Sequence, residues 1–280
     1  MSLNISYDST FDGFLSVVFE IYRQRLVVGN ITPDRRAGED ADLFMQPFWV
    51  ETSEDSARRL KRAIVNAASE DVLWMLDVVF RSEVEGVEMQ MLSYLRKLFA
   101  GLDPNYGKNI ASAEMLPLYK IAQAVRREIG DMRGMVRFSK TDDGCYFAEI
   151  EPKYDIVTLL TDHFLRRFVN VRWAIYDSRR NYGVYYDGRS PQEVTIPNLK
   201  ALKAGLPPDA ITQLWKDYYN AISIKERENP RLLRRCLPVH YWKHMPERDF
   251  ANQLSAHSPP QVSLPSNVAK ANSLARLASF

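Results

Sequence analysis

Apolar residues recur every three to four positions in FDGFLSVVFEIYRQ, where Phe11, Phe14, Leu15, Val18 and Tyr22 share one side. That spacing predicts an amphipathic helix, and Ser9 or Thr10 stands where its N-cap belongs. The polar stretch VGNITPDRRAGEDADLF follows, and its Gly, Pro and Asp content predicts a long loop. PFWVET predicts a brief strand. Thr52 or Ser53 then opens SEDSARRLKRAIVNAA, whose early acids suit a helix N-terminus. DVLWMLDVVFRS and VEGVEMQMLSYLRKLFAGL continue in helical period, with Gly101 as a stop signal. LDPNYGKN reads as a loop. ASAEMLPLYKIAQAVRREIG predicts a further helix ending at Gly130, with Pro117 near its start, where proline is tolerated.

The period changes at Met132. MVRF and CYFAEI alternate like strands, and SKTDDG between them reads as a hairpin turn. On such a strand Arg133 and Arg137 project from one face, opposite Val136 and Phe138. DIVTLLTDHFLRRF returns to helical period, with Ile156, Leu160, Phe164 and Phe168 on one face. VRWAIYD and YGVYYD form a second hairpin through SRRN, and EVTIP adds a fifth strand. The middle therefore reads β-β-α-β-β, an antiparallel sheet backed by a helix.

Beyond it, ITQLWKDYYNAISI carries Ile211, Leu214, Trp215, Tyr218 and Ile222 on one stripe. Asn229-Pro230 has the form of an N-cap followed by proline at the first helical position. RLLRRC and VHYWKHM are short segments split by Pro238. After Pro246 the chain is rich in Ser, Ala, Asn and Pro and reads as a disordered tail. The expected class is α+β. A single domain spans 1–248, helical over 1–131, sheet-containing over 132–198 and helical over 199–248, with a tail over 249–280.

Composition changes little: 280 residues, 46% hydrophobic, is ordinary for a globular chain able to bury a core. No apolar run suits a membrane span, so no membrane partner is expected. MSLNISYDSTFDGF lacks a basic stretch followed by an apolar one, and Cys145 and Cys236 form no CxxC pair. A reduced, cytoplasmic setting is the expectation. The net charge of +2 conceals polarity along the chain. Residues 1–60 hold six Lys/Arg against ten Asp/Glu, whereas residues 225–248 hold seven against three. Basic pairs punctuate the middle at Arg126-Arg127, Arg166-Arg167 and Arg179-Arg180. In the basic C-terminal run, Tyr241 and Trp242 supply rings of the kind that stack on bases.

Candidate chemistry is sparse. There is no GxxxxGK[ST], no GxGxxG after a strand, no GxSxG and no HExxH. Cys236, His240 and His244 have zinc-ligand chemistry at i, i+4, i+8, but Pro238 interrupts the helix that would align them, and no fourth ligand is near. No metal and no cofactor is expected. His163 is a candidate acid or base, set against a helix-border histidine bonded to a backbone carbonyl. Asp177 is a candidate carboxylate, set against a turn-initiating Asp. Glu151 and Arg180 complete the catalytic candidates. Cys145, opening a strand without a recognisable base, reads as a buried small hydrophobe.

In combination and order, YDSTFDGFLSVVFEIY, MRGMVRF…CYFAEIEP, LLTDHFLRRF, WAIYDSRRNYGVYYDG and LWKDYYNAISIKERENPRLLRRCLPVHYWKHMPE resemble a bacterial family associated with DNA metabolism or DNA repair, built on a domain of unknown function. The likeness covers roughly residues 5–248. Where the family pattern reads YWKY this chain has YWKH, and a basic residue commonly stands at the position of His240. The resemblance implies a neighbour of radical-SAM type acting in DNA modification or repair, and a kinship with forms fused ahead of a uracil-DNA glycosylase-type domain. This chain lacks the three-cysteine motif of the radical-SAM enzyme itself. The leading expectation is an accessory protein that binds nucleic acid or that radical-SAM partner. Arg133, Arg137, Arg166, Arg167, Arg179, Arg180, Arg231, Arg234, Arg235 and Lys243 would face phosphates, with Tyr241 and Trp242 as stackers. An enzyme acting on a damaged base or nucleotide, and a purely structural partner of the radical-SAM protein, are the alternatives.

Overall fold

The computed structural model describes residues 2–34, 48–103, 105–196 and 229–245. The chain divides into two compact units, Met1–Asp209 and Ala210–Phe280. The segment ITQLWKDYYNAISI and the tail after residue 248 lie outside the described residues. The class is α+β, as expected. No helix among the described residues is long and apolar enough to cross a membrane.

The first unit opens with β1 (Leu3–Tyr7), α1 (Phe11–Gln24), β2 (Val28–Pro33) and β3 (Phe48–Trp49). These strands form a parallel sheet in the order β2-β1-β3. The expected helical 1–131 is therefore met only in part, and the loop expected from Val28 is corrected, because VGNITP pairs with LNISY. PFWVET does contain a short strand. Thr10 caps α1, its Oγ1 accepting from the Gly13 N–H at 2.9 Å, and Ser53 caps the next helix in the same way.

Helices α2 (Glu54–Ala67), α3 (Glu70–Phe80), α4 (Val87–Ala100) and α5 (Met115–Met135) follow. Gly101 ends α4 in the left-handed region at φ 65°, a conformation glycine adopts without strain. Rings of Tyr7, Phe11, Phe14 and Phe80 join β1, α1 and α3 into one core. Two acids enter that interior: Tyr7 Oη donates to buried Glu88, and buried Glu128 of α5 accepts the Lys153 and Tyr154 N–H groups at 2.6 and 2.9 Å.

Helix α5 does not stop at Gly130. It runs to Met135, so the expected strand MVRF is not formed. Met135 ends the helix, Val136–Phe138 link it to the next strand, and Arg133, on the helix, does not share a strand face with Arg137. A second sheet follows, built from β4 (Ser139–Lys140), β5 (Tyr146–Ile150), β6 (Trp173–Asp177), β7 (Tyr182–Tyr186) and β8 (Pro191–Val194), in that order. Three of its four pairings are antiparallel, as expected. The β5–β6 pairing is parallel, because α6 (Val157–Arg167) returns the chain to the starting end of the sheet before β6 begins. β6 is buried along its whole length. Its Trp173 contacts Phe164 of α6, and the opposite face packs Ala174 and Tyr176 against Phe147, Tyr185 and Ile196.

In the second unit, α7 (Pro230–Cys236) is capped by Asn229, whose Oδ1 accepts from the Leu232 N–H at 3.0 Å, with proline in the first turn as expected. A 3-10 segment, Val239–His244, follows Pro238.

Candidate nucleic-acid interface

Helix α6 buries Val157, Leu160, Thr161 and Phe164, which turns Arg166 and Arg167 of its last turn outward. The end of α5 arrives beside it. Phe138, just past α5, packs edge-on against Phe164 and Phe168, each at 5.4 Å between centroids. Exposed Arg133, in the last turn of α5, thereby comes close enough to His163 for its charge to act there together with those of Arg167 and Arg166. Basic residues suit both helix C-termini, where the backbone dipole is negative.

His163 is half-buried, its ring edge-on to Phe164 at 5.0 Å. Burial, followed by the Arg133, Arg167 and Arg166 charges, holds its imidazole below the ordinary 6.5, so it is neutral at pH 7. Arg133 makes no hydrogen bond or ion pair to a described residue, and Arg166 spends one N–H on the Asp162 carbonyl. The Arg167 guanidinium lies 5.8 Å from the Phe168 ring centroid. Arg137 is placed differently: its Nη1 donates to the Gly134 carbonyl at 2.7 Å, closing the end of α5.

Arg180 is also turned inward. Its Nε and Nη2 donate to Glu83 Oε2 at 3.1 and 2.7 Å, its Nη1 to Asp177 Oδ2 at 2.7 Å and to the Pro152 carbonyl, and its Nη2 to the Lys153 carbonyl. All five guanidinium N–H groups are thus matched to oxygens of the chain itself. The expectation that Arg180 faces phosphate is corrected on that ground. A second cation, Arg81, extends the network. It donates to Asp77 and to Thr158 Oγ1 and lies 3.6 Å from Asp155, which in turn accepts from the Tyr182 hydroxyl. Arg179 stays exposed, with Nη1 donating to the Lys153 carbonyl.

Asp177 is fully buried at the end of β6. Its Oδ1 accepts the Arg179 and Arg180 N–H groups at 2.8 and 3.2 Å, the geometry of a turn-initiating Asp. Burial raises its carboxyl above the ordinary value, opposed by the hydrogen bond and charge of Arg180. Glu151 accepts from Ser178 Oγ at 3.0 Å across the ends of β5 and β6. His163 is not gathered with these groups. Its neighbour Phe164 lies against Trp173, the first residue of β6, whereas Asp177 is the last, about 13 Å further along the strand.

Cys145 is buried, and burial raises its thiol above the ordinary value, which leaves it a poor nucleophile. In the second unit Arg231, Arg234, Arg235 and Lys243 are exposed. Tyr241 and Trp242 are only 6% and 7% exposed, and Trp242 Nε1 donates to the Leu237 carbonyl at 3.0 Å. Their expected role as base stackers is corrected, because neither ring offers a free face to a base. Cys236 ends α7, and His240 and His244 belong to the 3-10 segment, so the three do not share one helix.

Sequence reasoning identified the basic pairs but not their convergence. It also missed Glu83, Arg81, Asp155 and Glu128. Of these only Glu128 carries a local signal, an acid beside the apolar stripe Ala122, Val125, Ile129 and Met132. A family model described as a domain of unknown function, DUF4130, matches residues 85–247, more than half of the chain. No curated protein matches.

Proposed function

The chain belongs to this DUF4130 family, and from that premise we propose that it is an accessory protein of DNA metabolism that contacts nucleic acid and works beside a radical-SAM partner. One observation carries the reading: Arg133, Arg166 and Arg167, from two helices, converge around one half-buried histidine on an exposed surface. Arg133 and Arg166 retain N–H donors for phosphate oxygens, and a neutral His163 adds a further hydrogen-bonding group. The sequence resemblance supplies the DNA-repair setting and the radical-SAM neighbour. Arg231, Arg234, Arg235 and Lys243 offer the second unit's cationic contribution. Arg180 holds the sheet ends together and takes no part in contact with phosphate.

The test is fluorescence anisotropy with labelled single- and double-stranded DNA across a salt series. Three arginine–phosphate contacts give a log–log salt slope of about −2 to −3. Arg133→Ala flattens that slope by about one and weakens all sequences alike. An absence of binding at low salt, or an unchanged slope in the triple variant R133A/R166A/R167A, refutes direct contact through this surface. Co-purification with the radical-SAM protein that survives nuclease treatment supports a protein contact, and loss of co-purification on nuclease treatment reduces that link to a DNA bridge.

A further inference from the structure

The N-terminal parallel sheet is wound outward from its middle strand. β1 leads through α1 to β2 on one side, and β3 lies on the other. Such a reversal opens a crevice beyond the carboxyl ends of the strands, where open parallel sheets take ligands. An open cleft of about 820 Å³ lies there, ahead of the family-matched region, with Asp8 and Thr52 from the ends of β1 and β3 in its wall. That volume suits a small-molecule site.

Asp8 is held in place by its surroundings. Its Oδ1 accepts from the Thr10 N–H and Oγ1 at 3.0 and 2.7 Å, and its Oδ2 accepts from Thr52 Oγ1 at 2.6 Å. These hydrogen bonds outweigh partial burial, the largest single influence, and keep the carboxyl below its ordinary value. Gly13 makes room for it, since a β-carbon there would overlap Asp8 Oδ1. The carboxylate thus occupies the start of α1, the place an anionic ligand would otherwise take. Of the other acids, Asp12 pairs with Lys61 at 2.5 Å and Asp77 with Arg81 at 3.2 Å, while Glu70 has no hydrogen bond or ion pair to a described residue. The wall therefore carries four carboxylates against two cations, and two of those acids, Asp8 and Glu70, make no ion pair with a described residue.

The remaining lining is apolar. Phe11, Val65 and Leu73 form it together with Trp74, which is 44% exposed and steadied by Arg126 over its ring at 4.4 Å. A large aromatic surface beside acceptor-only groups selects a flat ligand that donates hydrogen bonds. A metal ion is disfavoured, because no three ligand atoms of the cleft's described residues converge within 4.8 Å.

We propose that this cleft binds a planar nitrogen heterocycle bearing an amino group, the edge that adenine, cytosine and guanine present. Its ring rests on Trp74 and Phe11, and its N–H groups reach Asp8 and Glu70. The base arrives as a free nucleoside or extruded from a strand, and one experiment separates these sources. Saturation-transfer NMR is run on the full chain with adenosine, cytidine and uridine at millimolar concentration, and with a short oligo-dA. Adenosine and cytidine are expected to show transfer to their base protons, and uridine, which carries no amino group, at least about tenfold weaker binding. Trp74→Ala, at an exposed position, is expected to lower adenosine affinity about tenfold or more with the melting temperature kept. Adenosine that displaces oligo-dA from the wild type but not from Trp74→Ala supports a base supplied by a strand, and nucleoside binding without oligo-dA binding supports a free one. Absence of transfer from either aminated nucleoside, equal binding of uridine, or unchanged affinity in Trp74→Ala overturns the proposal. Uncharged nucleosides need no arginine surface, so this result stands apart from the salt-dependent DNA test.

Discussion

Replacing Arg180 by Met tests whether the charged network between α3, β5 and β6 is a structural element. The Arg180 side chain is 11% exposed and that of Asp177 0%, so the substitution leaves a buried carboxylate without its cation. It also strips Glu83 of its guanidinium and removes one donor each from the Pro152 and Lys153 carbonyls, the second of which keeps its bond from Arg179. Removing one partner of a buried pair costs about 3–5 kcal/mol. For a unit of this size that is a fall in melting temperature of about 6–20 °C. The sign with pH follows from Asp177. Burial already raises its folded carboxyl above 3.8 against the pull of Arg180, and the variant loses that pull. The folded variant therefore holds a proton more tightly than its unfolded chain, and its stability falls as pH rises from 3.8 through the folded value. Urea unfolding at pH 7.5 and again near pH 5 reads this directly. The deficit is largest at the higher pH and shrinks at the lower. Asp177→Asn added to Arg180→Met recovers part of the loss, because the neutral amide retains an oxygen for the Arg179 and Arg180 N–H groups. A deficit below about 1 kcal/mol, the range of an exposed ion pair, refutes the reasoning. So does one that is the same at both pH values.

Gly13 and Gly130 both sit inside helices, yet alanine is expected to act with opposite sign at the two. A β-carbon at Gly13 overlaps Asp8 Oδ1 and meets Thr52 Oγ1 at 2.8 Å, so G13A destabilises by about 1–3 kcal/mol. At Gly130 nothing lies within 4 Å, and G130A stabilises by about 0.4–1 kcal/mol in the same denaturation assay. Imidazole titration by NMR places His163 below 6.5, and Arg133→Ala moves it upward. Because that folded value is depressed, the native state binds fewer protons than the unfolded chain, and stability is lost as pH falls below 6.5 through the folded value.

Local chemistry was legible in the sequence. Thr10, Ser53, Gly101 and Asn229-Pro230 mark helix ends through bonds or backbone angles set within a few residues, and they do so in the structure. The SRRN turn was legible for the same reason, since Asp177 bonds the two N–H groups that follow it. Parallel pairing has no such sign. LNISY and VGNITP are short, share no turn, and meet only after α1 has carried the chain back. The end of α5 was misplaced because Gly130 and Gly134 look like breakers. Each costs a helix about 1 kcal/mol relative to alanine. Burial of Ile129 and Met132 on the same helix outweighs that. The arginine pairs were visible, but whether an arginine meets solvent or a carboxylate was not. Arg166 and Arg180 differ only in what the fold brings against them.

Arg81 shows how the N-terminal sheet and the second sheet are bonded together within the first unit. It caps the end of α3, forms part of the wall of the N-terminal cleft through its pair with Asp77, and donates to Thr158 at the start of α6. Its carbonyl accepts the Asp155 N–H at 3.0 Å, and the Asp155 carboxylate accepts from Tyr182 of β7. Two residues on, Glu83 receives Arg180 from the far end of the β6–β7 turn. The chain from Arg81 to Glu83 is therefore tied to Thr158 of α6, to Asp155 just ahead of it and to Arg180 of the β6–β7 turn, while Arg81 also stands in the wall of the first sheet's crevice. A ligand that displaced Arg81 from Asp77 would strain the bonds at Thr158 and Asp155 as well, since one guanidinium serves all three. The cleft and the arginine surface at the two ends of α6 are in this way parts of one bonded framework: Thr158 lies in the first turn of the helix whose last turn presents Arg166 and Arg167.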